Sequence, residues 1–138
     1  WFAPSGTDPQ TGKLQGEYVK DESGAKVSEW NGMAPLGDNC IVMTTKGYMI
    51  ISPEKGVVLG EVESEEMEDL GKCITDGNTV ITSEAHTGVI GIYDFSDPKE
   101  PVKKLKLDTP YVTDLPCIME GDIYVPLRHD GIMKITKE

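Results

Sequence analysis

Three segments of this sequence share one pattern of glycines and β-prone residues, and this repeat constrains the fold more than any other feature. The segments are "GDNCIVMTTKGYMIIS" from Gly37, "GNTVITSEAHTGVIGIYDF" from Gly77 and "GDIYVPLRHDGIMKIT" from Gly121. Each begins with glycine and then Asp or Asn, continues through β-prone residues, and crosses a short polar turn that ends in a second glycine. Because glycine readily takes the positive φ of a tight reversal, the pattern predicts a β-hairpin in each segment.

The pattern extends beyond the hairpins on both sides. Upstream, "DLGKCITDG" aligns with "DLPCIMEG", which makes Cys73 equivalent to Cys117. Downstream, "ISPEKGVVLGEVE" resembles the beginning of the chain, "GTDPQTGKLQGEYV", and "FSDPKEPVKKLKL" stands at the same point of the middle segment. Each of these stretches predicts a turn, with proline preset for the turn position, and then a further strand. The repeated unit is therefore expected to contain four short strands.

Units of this size and strand number are typical of one all-β architecture. The starting glycines lie 40 and 44 residues apart, and no helical periodicity of any length interrupts the pattern. We predict an all-β, β-propeller-like fold of about three four-stranded antiparallel blades. Within a single domain, 1–138, the blades are expected over residues 1–30 (partial, closing strands), 31–63, 71–107 and 115–138 (lacking its outer strand).

Two stretches resemble repeats of known propeller families. The stretch "GVIGIYDFSDPKEPVKKLKL" resembles the repeat whose consensus strand reads Leu-Val-Ile-Val-Asp and is followed by Ser-Asp-Pro and Pro. The stretch "TDPQTGKLQGEYV" is similar to blades of quinoprotein-like propellers, in which a Thr-Gly-Lys turn precedes the outer strand. The resemblance implies a propeller fold, but it implies no particular activity because propellers carry many unrelated functions.

Three blades are too few for a closed ring, since propellers typically have about four to eight. Both ends of such an arc would leave unpaired strand edges that something must cover. We expect this chain to be part of a longer propeller, and the alternative is that two copies complete one six-bladed ring. The remaining blades of a parent chain or a second copy are therefore expected partners.

The charge balance argues against two classes of partner. The chain has 13 basic and 24 acidic residues, a net charge of −11, which opposes binding to nucleic acid phosphates or anionic lipid.

No apolar run approaches the roughly 20 residues of a membrane helix, and the first residues lack the features of a signal peptide. We expect no nucleic acid and no membrane insertion. The compartment stays open, with an extracytoplasmic location among the alternatives.

The three cysteines cannot form a closed disulfide framework. Cys40, Cys73 and Cys117 all lie in apolar, β-like runs, where a thiol behaves as a small hydrophobic group. We therefore expect three unreactive core thiols.

The propeller expectation indicates where a binding site lies. In propellers the loops from the second to the third strand, and from the fourth strand to the next blade, share the face around the central channel. His86 and His129 each lie two residues before a turn glycine, at equivalent places on neighbouring blades. With Arg128, the sole arginine, and the carboxylates of Glu84 and Asp130, they form the candidate ligand site. The alternative is that both histidines are solvated turn residues.

Such a pair of histidines suits a metal, a proton transfer or an anionic ligand. We predict no metal site, because zinc–nitrogen bonds of roughly 2.0 to 2.1 Å are hard to reach from adjacent blades. No nucleophile elbow, phosphate-binding glycine loop or zinc-type Cys/His spacing occurs, and the sequence leaves the question of a cofactor open. We predict a ligand- or protein-binding scaffold with recognition loops on one face. The alternatives are part of a propeller enzyme (lyase, lactone hydrolase or quinoprotein-like oxidoreductase) that uses His86 and His129, and a purely structural repeat of a larger surface protein.

Overall fold

The computed structural model describes residues 20, 23–24, 31–67, 70–84 and 86–136. Within these residues the chain forms β-strands and two short 3-10 turns, and the strands make three antiparallel sheets. The prediction of an all-β fold built from about three antiparallel blades is confirmed. No helix in the described part of the chain is long and apolar enough to cross a membrane.

The strands follow one another along each sheet. The first sheet contains β1 Gly32–Leu36, β2 Asn39–Met43, β3 Gly47–Ser52 and β4 Val57–Glu63, in the order β1-β2-β3-β4. The second contains β5 Lys72–Asp76, β6 Thr79–Ser83, β7 Val89–Asp94 and β8 Val102–Asp108, in the order β5-β6-β7-β8. The third contains β9 Cys117–Met119, β10 Asp122–Pro126 and β11 Ile132–Ile135, in the order β11-β10-β9. The 3-10 turns are Glu65–Met67 and Arg128–Asp130.

Glycines with positive φ also stand in the turns that precede the repeated hairpins. Gly37 (φ 59°) and Gly77 (φ 58°) each take the first position of a two-residue turn, after β1 and after β5. In the third sheet the corresponding turn is built differently, from Glu120 (φ 55°) and Gly121 (φ 86°), so its glycine takes the second position. Residues of the third unit that are equivalent in the structure therefore lie one position away from those that the sequence alignment pairs.

This displacement overturns the expected equivalence of Cys73 and Cys117. Cys73 pairs with Thr82, whereas Cys117 pairs with Tyr124, one position further along the repeat. Because side chains alternate between the faces of a sheet, a shift of one residue reverses the direction of every side chain. The expectation of three core thiols is correct for Cys73, but Cys40 is half-buried and Cys117 is exposed.

The first and second sheets pack face to face through an aromatic and aliphatic core. Its buried residues are Ala34, Leu36, Ile41, Met43, Tyr48, Ile50, Met67, Leu70, Cys73, Val80, Tyr93 and Phe95. At the inner edge β1 lies beside β5, where the Thr75 hydroxyl donates to the Pro35 carbonyl oxygen at 2.5 Å. A Cβ on Gly32 would lie 2.6 Å from the Gly71 carbonyl oxygen, so this close approach of the two backbones requires a glycine.

The second and third sheets pack through a smaller, aliphatic core. Its buried residues are Ile81, Ile90, Ile123, Val125 and Leu127, and partly buried isoleucines, one leucine and one methionine pack around them. The other face of the first sheet carries a third cluster of Val42, Met49 and Ile51, with Val58 packed against it. The second sheet thus packs on the first sheet with one face and on the third sheet with the other, as a blade packs on its neighbours.

The predicted partial blade over residues 1–30 lies outside the described residues, apart from residues 20 and 23–24. Lys20 pairs in parallel with Val57 of β4. Its backbone N–H donates to the Gly56 carbonyl oxygen at 3.3 Å, and its carbonyl oxygen accepts from the Val58 N–H at 3.2 Å. The outer edge of the first sheet is therefore in backbone contact with Lys20.

Candidate functional site

The loops at one end of the sheets form a surface that we call the loop face. It comprises the described parts of residues 44–46, 64–71, 84–88, 109–116 and 127–131, which join β2 to β3, β4 to β5, β6 to β7, β8 to β9 and β10 to β11. These connections share one end because successive strands run in opposite directions. Glu84 and His86 lie in the β6–β7 loop, and Arg128, His129 and Asp130 form the 3-10 turn between β10 and β11.

Glu84 organises its own loop. Its carboxylate accepts hydrogen bonds from the backbone N–H groups of His86 and Thr87 and from the Thr87 hydroxyl. Its carbonyl oxygen accepts from the Gly88 N–H at 3.0 Å. Partial burial alone raises the pKa of Glu84, but these hydrogen bonds and the nearby His86 imidazole outweigh burial and leave the pKa below its usual value. The carboxylate is therefore held ionised at neutral pH, beside His86.

The two histidines are exposed on this face, on the connections before β7 and before β11. His86 lies in the β6–β7 loop, and His129 follows Arg128, whose φ of 52° is unusual for a residue other than glycine. Among the described residues, no hydrogen bond or ion pair joins the two imidazoles. The same part of the chain contains no group of three His, Cys, Asp or Glu side chains that could hold a metal ion.

A buried polar network beneath the β6–β7 loop was not indicated by the sequence. The Thr113 hydroxyl donates to the Glu84 carbonyl oxygen at 3.0 Å, and the Ser83 hydroxyl donates to the Asp114 carbonyl oxygen at 2.8 Å. Ser83 and Thr113 are both 0% exposed, with 3.4 Å between their hydroxyl oxygens. The Asp114 N–H donates to the Pro126 carbonyl oxygen at 3.0 Å. The β8–β9 connection is thereby fixed to both the second and the third sheet.

Asp114 connects this network to charged groups on the surface. Its carboxylate accepts hydrogen bonds from the Lys72 ammonium group and, at 2.7 Å, from the Leu115 N–H. The Lys72 hydrogen bond, then the Leu115 N–H, and more weakly the Arg128 guanidinium hold the pKa of Asp114 below its usual value. Of the predicted residues, Arg128 therefore lies near Asp114. The Asp-Leu pair shared by "DLGKC" and "DLPC" was the available signal in the sequence.

Gly88 lets the β6–β7 loop lie directly against the β8–β9 connection. Its carbonyl oxygen accepts from the Thr109 N–H at 3.2 Å and from the Thr109 hydroxyl at 3.0 Å. A Cβ on Gly88 would lie 2.5 Å from the Thr109 carbonyl oxygen, and its φ of 72° also favours glycine. The loop is consequently pre-organised by its packing.

Two of the cavities formed by the described residues adjoin these sheets, and their linings do not include the five predicted residues. A polar cavity of about 350 Å³ lies on the loop face, lined by Lys46, Glu63, Ser64 and Glu65. A larger and more apolar cavity of about 580 Å³ lies between the second and third sheets. The sequence did not indicate either cavity.

Comparisons with known proteins support the fold. No family model matches the sequence, and no curated protein matches it. Among solved structures, BamB from Moraxella catarrhalis is similar with a TM-score of 0.54 and 18% identity, covering 74% of this chain and 30% of that protein. Hsv2 from Kluyveromyces lactis is similar with a TM-score of 0.59 and 14% identity, covering 81% of this chain and 34% of that protein. Hsv2 from Kluyveromyces marxianus is similar with a TM-score of 0.57 and 15% identity, covering 81% of this chain and 34% of that protein.

These structural neighbours are β-propeller proteins, so the chain has a propeller-type fold. The chain spans about a third of the length of the neighbours it matches. At this level of identity the likeness shows the fold alone.

Proposed function

We propose that this chain is a ligand- or protein-binding propeller scaffold whose loop face carries recognition. The observation that carries the proposal is the buried Ser83–Thr113 network, which fixes the β6–β7 loop against the β8–β9 connection. A surface held in place before binding loses little conformational entropy when a partner docks. Loops positioned by a rigid sheet are also where binding residues are most often found.

The exposed side chains on this face suit a polar partner. His86, Arg128, His129 and Asp130 are all exposed and provide hydrogen-bond donors together with charges of both signs. The net charge of −11 favours partners with basic groups. We infer that peptide segments with mixed polar and basic side chains are the ligands this face fits best.

The proposal is tested with random-sequence peptides displayed on phage and selected on the full chain. Selected peptides are then measured against a variant in which His86, Arg128, His129 and Asp130 are all replaced by alanine. The matched control replaces Asp38 and Asn78, exposed residues in turns at the opposite end of the sheets, by alanine. We expect binding to fall by at least about tenfold with the first variant and to be unchanged with the second. Peptides that bind both variants as well as the wild type would overturn the proposal.

A propeller enzyme that uses His86 and His129 is the second candidate. It is supported by the ionised Glu84 carboxylate beside the His86 imidazole, since a carboxylate and an imidazole are common partners in proton transfer. The test combines metal analysis of the purified chain with hydrolysis of small lactones by the His86→Ala and His129→Ala variants. Loss of bound metal or of turnover with unchanged melting favours the enzyme, and no effect favours the scaffold.

A further proposal concerns how the arc of blades is completed in the parent assembly. We propose that residues 1–138 form one domain that is completed by further blades or by a second copy, and that its repeats are of the Leu-Val-Ile-Val-Asp or quinoprotein-like type. The solution mass distinguishes the two ways of completing the ring. A stable monomer contradicts a dimeric ring. If no loop-face variant changes any binding, a purely structural repeat of a larger surface protein is the better interpretation.

A further inference from the structure

The β8–β9 connection, residues 109–116, crosses the loop-face end of the second sheet. It is hydrogen-bonded to Gly88 just before β7, to Ser83 at the end of β6 and to Lys72 at the start of β5. Its Asp114 N–H also bonds to the third sheet. The connection is therefore fixed across the width of the second sheet.

The distribution of side chains on this connection is the reverse of the usual one. Tyr111, Val112 and Leu115 are 42%, 40% and 47% exposed, whereas the hydroxyl-bearing Thr113 between them is 0% exposed. Single exposed apolar side chains are normal on a protein surface, but several close together mark an interaction surface. We call Tyr111, Val112 and Leu115 the apolar ridge.

The apolar ridge is not what holds the connection in place. The bonds that fix it come from backbone groups and from the side chains of Thr109, Thr113 and Asp114. The ridge side chains are therefore presented on a rigid support, and their exposed surface is available to a partner without a change in the loop.

The apolar ridge lies in the middle of the arc of sheets and not at one of its ends. The second sheet packs on the first sheet with one face and on the third with the other. A further blade would pack on the outer face of the first or of the third sheet. Added blades would therefore lie away from the connection that carries the ridge.

The charged groups around the apolar ridge are mainly acidic. In the described parts of residues 84–88, 108–116 and 127–131, together with residue 72, the carboxylates and the Lys and Arg cations are Glu84, Asp108, Asp114, Asp130, Lys72 and Arg128. The acidic groups outnumber the cations here, as they do in the whole chain, whose net charge is −11. Charge complementarity therefore favours basic side chains beside the apolar group of a partner.

We propose that the apolar ridge is the anchor site of the loop face and binds a bulky apolar side chain in an extended, basic segment of a partner protein. An apolar centre with a polar and charged rim is the usual arrangement of a protein interface, and tyrosine is among the residues that contribute most to binding. This inference rests on the proposed function, because it names the part of the loop face that holds the partner.

The test uses the peptides selected on the full chain from the random-sequence phage library, labelled for fluorescence anisotropy. Their affinity is measured for the wild type and for the ridge variants Tyr111→Ser and Leu115→Ser. Leu59→Ser is the matched control, because Leu59 is 51% exposed but lies in β4 of the first sheet. Urea unfolding and the solution mass of each variant report on its stability and its self-association.

We expect the selected peptides to share one bulky apolar residue with lysine or arginine beside it. Replacing that apolar residue by serine should weaken binding at least about tenfold, because a few anchor side chains dominate such interfaces. Tyr111→Ser and Leu115→Ser should each weaken binding by a similar factor, whereas Leu59→Ser should bind as the wild type does. All three variants should unfold at nearly the same urea concentration as the wild type.

Several results would overturn the inference. Peptides that lose affinity for the alanine variant of His86, Arg128, His129 and Asp130 but not for the ridge variants would overturn it and leave the proposed function standing. Peptides that respond to neither set would overturn both. A library that yields no binding peptide, or only acidic ones, would also contradict it.

The remaining outcomes concern other occupants of the apolar ridge. If the ridge variants unfold at a clearly lower urea concentration than Leu59→Ser, the chain itself covers the ridge and the inference is wrong. If the chain self-associates and the ridge variants abolish this, a second copy occupies the ridge, which also overturns the inference.

Discussion

The phenol hydroxyl of Tyr48, in β3, donates a hydrogen bond of 2.6 Å to the carbonyl oxygen of Pro98, in the turn between β7 and β8. This bond joins the first sheet to the second. Tyr93 is buried in the same core, but its hydroxyl has no hydrogen-bond partner among the described residues. The two tyrosines of this core therefore differ, because the Tyr48 hydroxyl is hydrogen-bonded and the Tyr93 hydroxyl is not bonded to any described residue.

Replacing each of these tyrosines by phenylalanine should have opposite effects on the free energy of unfolding. Tyr48→Phe loses the bond to Pro98 and should destabilise the chain by about 1 to 2 kcal/mol. Tyr93→Phe removes an unsatisfied buried hydroxyl and should be neutral or stabilising by up to about 1 kcal/mol. Equilibrium unfolding in urea measures both values. An equal loss in the two variants would contradict the difference in hydrogen bonding.

Stability should decline in alkaline solution because the core holds neutral thiol and phenol groups. Burial raises the pKa of the Cys73 thiol from 9.0 to about 12. Burial, with the nearby charges of Asp97 and Glu66, likewise raises the pKa of Tyr48 and of Tyr93 to about 12. The unfolded chain releases these protons at lower pH, so the stability they contribute is complete below about pH 9 and is lost as pH rises toward 12.

Urea midpoints measured at several pH values between 8 and 11 test this expectation, because the raised pKa of the Cys73 thiol sets this pH range. Cys73→Ala should reduce the alkaline slope, because it removes one of the groups responsible. Cys117→Ala is the matched control, since this thiol is exposed, and it should leave the slope unchanged. A slope that neither variant alters would show that Cys73 ionises alike in both states.

The cysteines should differ in their reaction with a thiol reagent such as Ellman's reagent. Cys117 is exposed and should react quickly in the native chain, whereas Cys73 is 4% exposed and should react only after unfolding. Half-buried Cys40 should react at an intermediate rate. The Cys117→Ser variant identifies the fast phase, which should disappear. A fast phase that persists in that variant would contradict the displaced register of β9.

Gly88→Ala should destabilise the loop face more than an equivalent change in an open turn. At both Gly88 and Gly37 the positive φ disfavours alanine by roughly 1 to 2 kcal/mol. At Gly88 the added Cβ would also collide with backbone and hydroxyl oxygens of Thr109, whereas nothing lies within 4 Å of a Cβ on Gly37. Urea unfolding should therefore show a clearly larger loss for Gly88→Ala than for Gly37→Ala. Equal losses would mean that the contact with Thr109 is not maintained in solution.

The buried hydroxyl of Thr113 should contribute measurably to stability. Thr113→Val keeps the shape but leaves the Glu84 carbonyl oxygen and the Ser83 hydroxyl without this partner, at a cost of about 1 to 3 kcal/mol. Thr45→Val, at an exposed position in the β2–β3 turn, is the matched control and should change little. Faster amide hydrogen exchange in residues 84–88 of Thr113→Val would locate the effect in the loop. Unchanged exchange there would argue against the role of the network.

The sequence by itself determined the hairpins and their all-β assembly. Turn formation and the alternation of side chains depend on residues close together in the chain, so the second glycines of the three segments, Gly47, Gly88 and Gly131, predicted reversals that the structure contains. The placement of His86 and Arg128 in loops between paired strands follows from the same local pattern. Whether the five predicted residues bind a ligand stays a prediction.

Only the tertiary structure decided the register of the third unit and the surfaces between sheets. A turn built on Glu120 and Gly121 and one built on Gly77 differ by one residue, and local chemistry permits both. Packing of Ile123 on the second sheet selects between them, and this selection turns Cys117 outward. The Ser83–Thr113 network and the cavity beside Ile135 likewise join residues from different sheets. Such contacts are set by the packing distance between sheets, which no local pattern in the chain encodes.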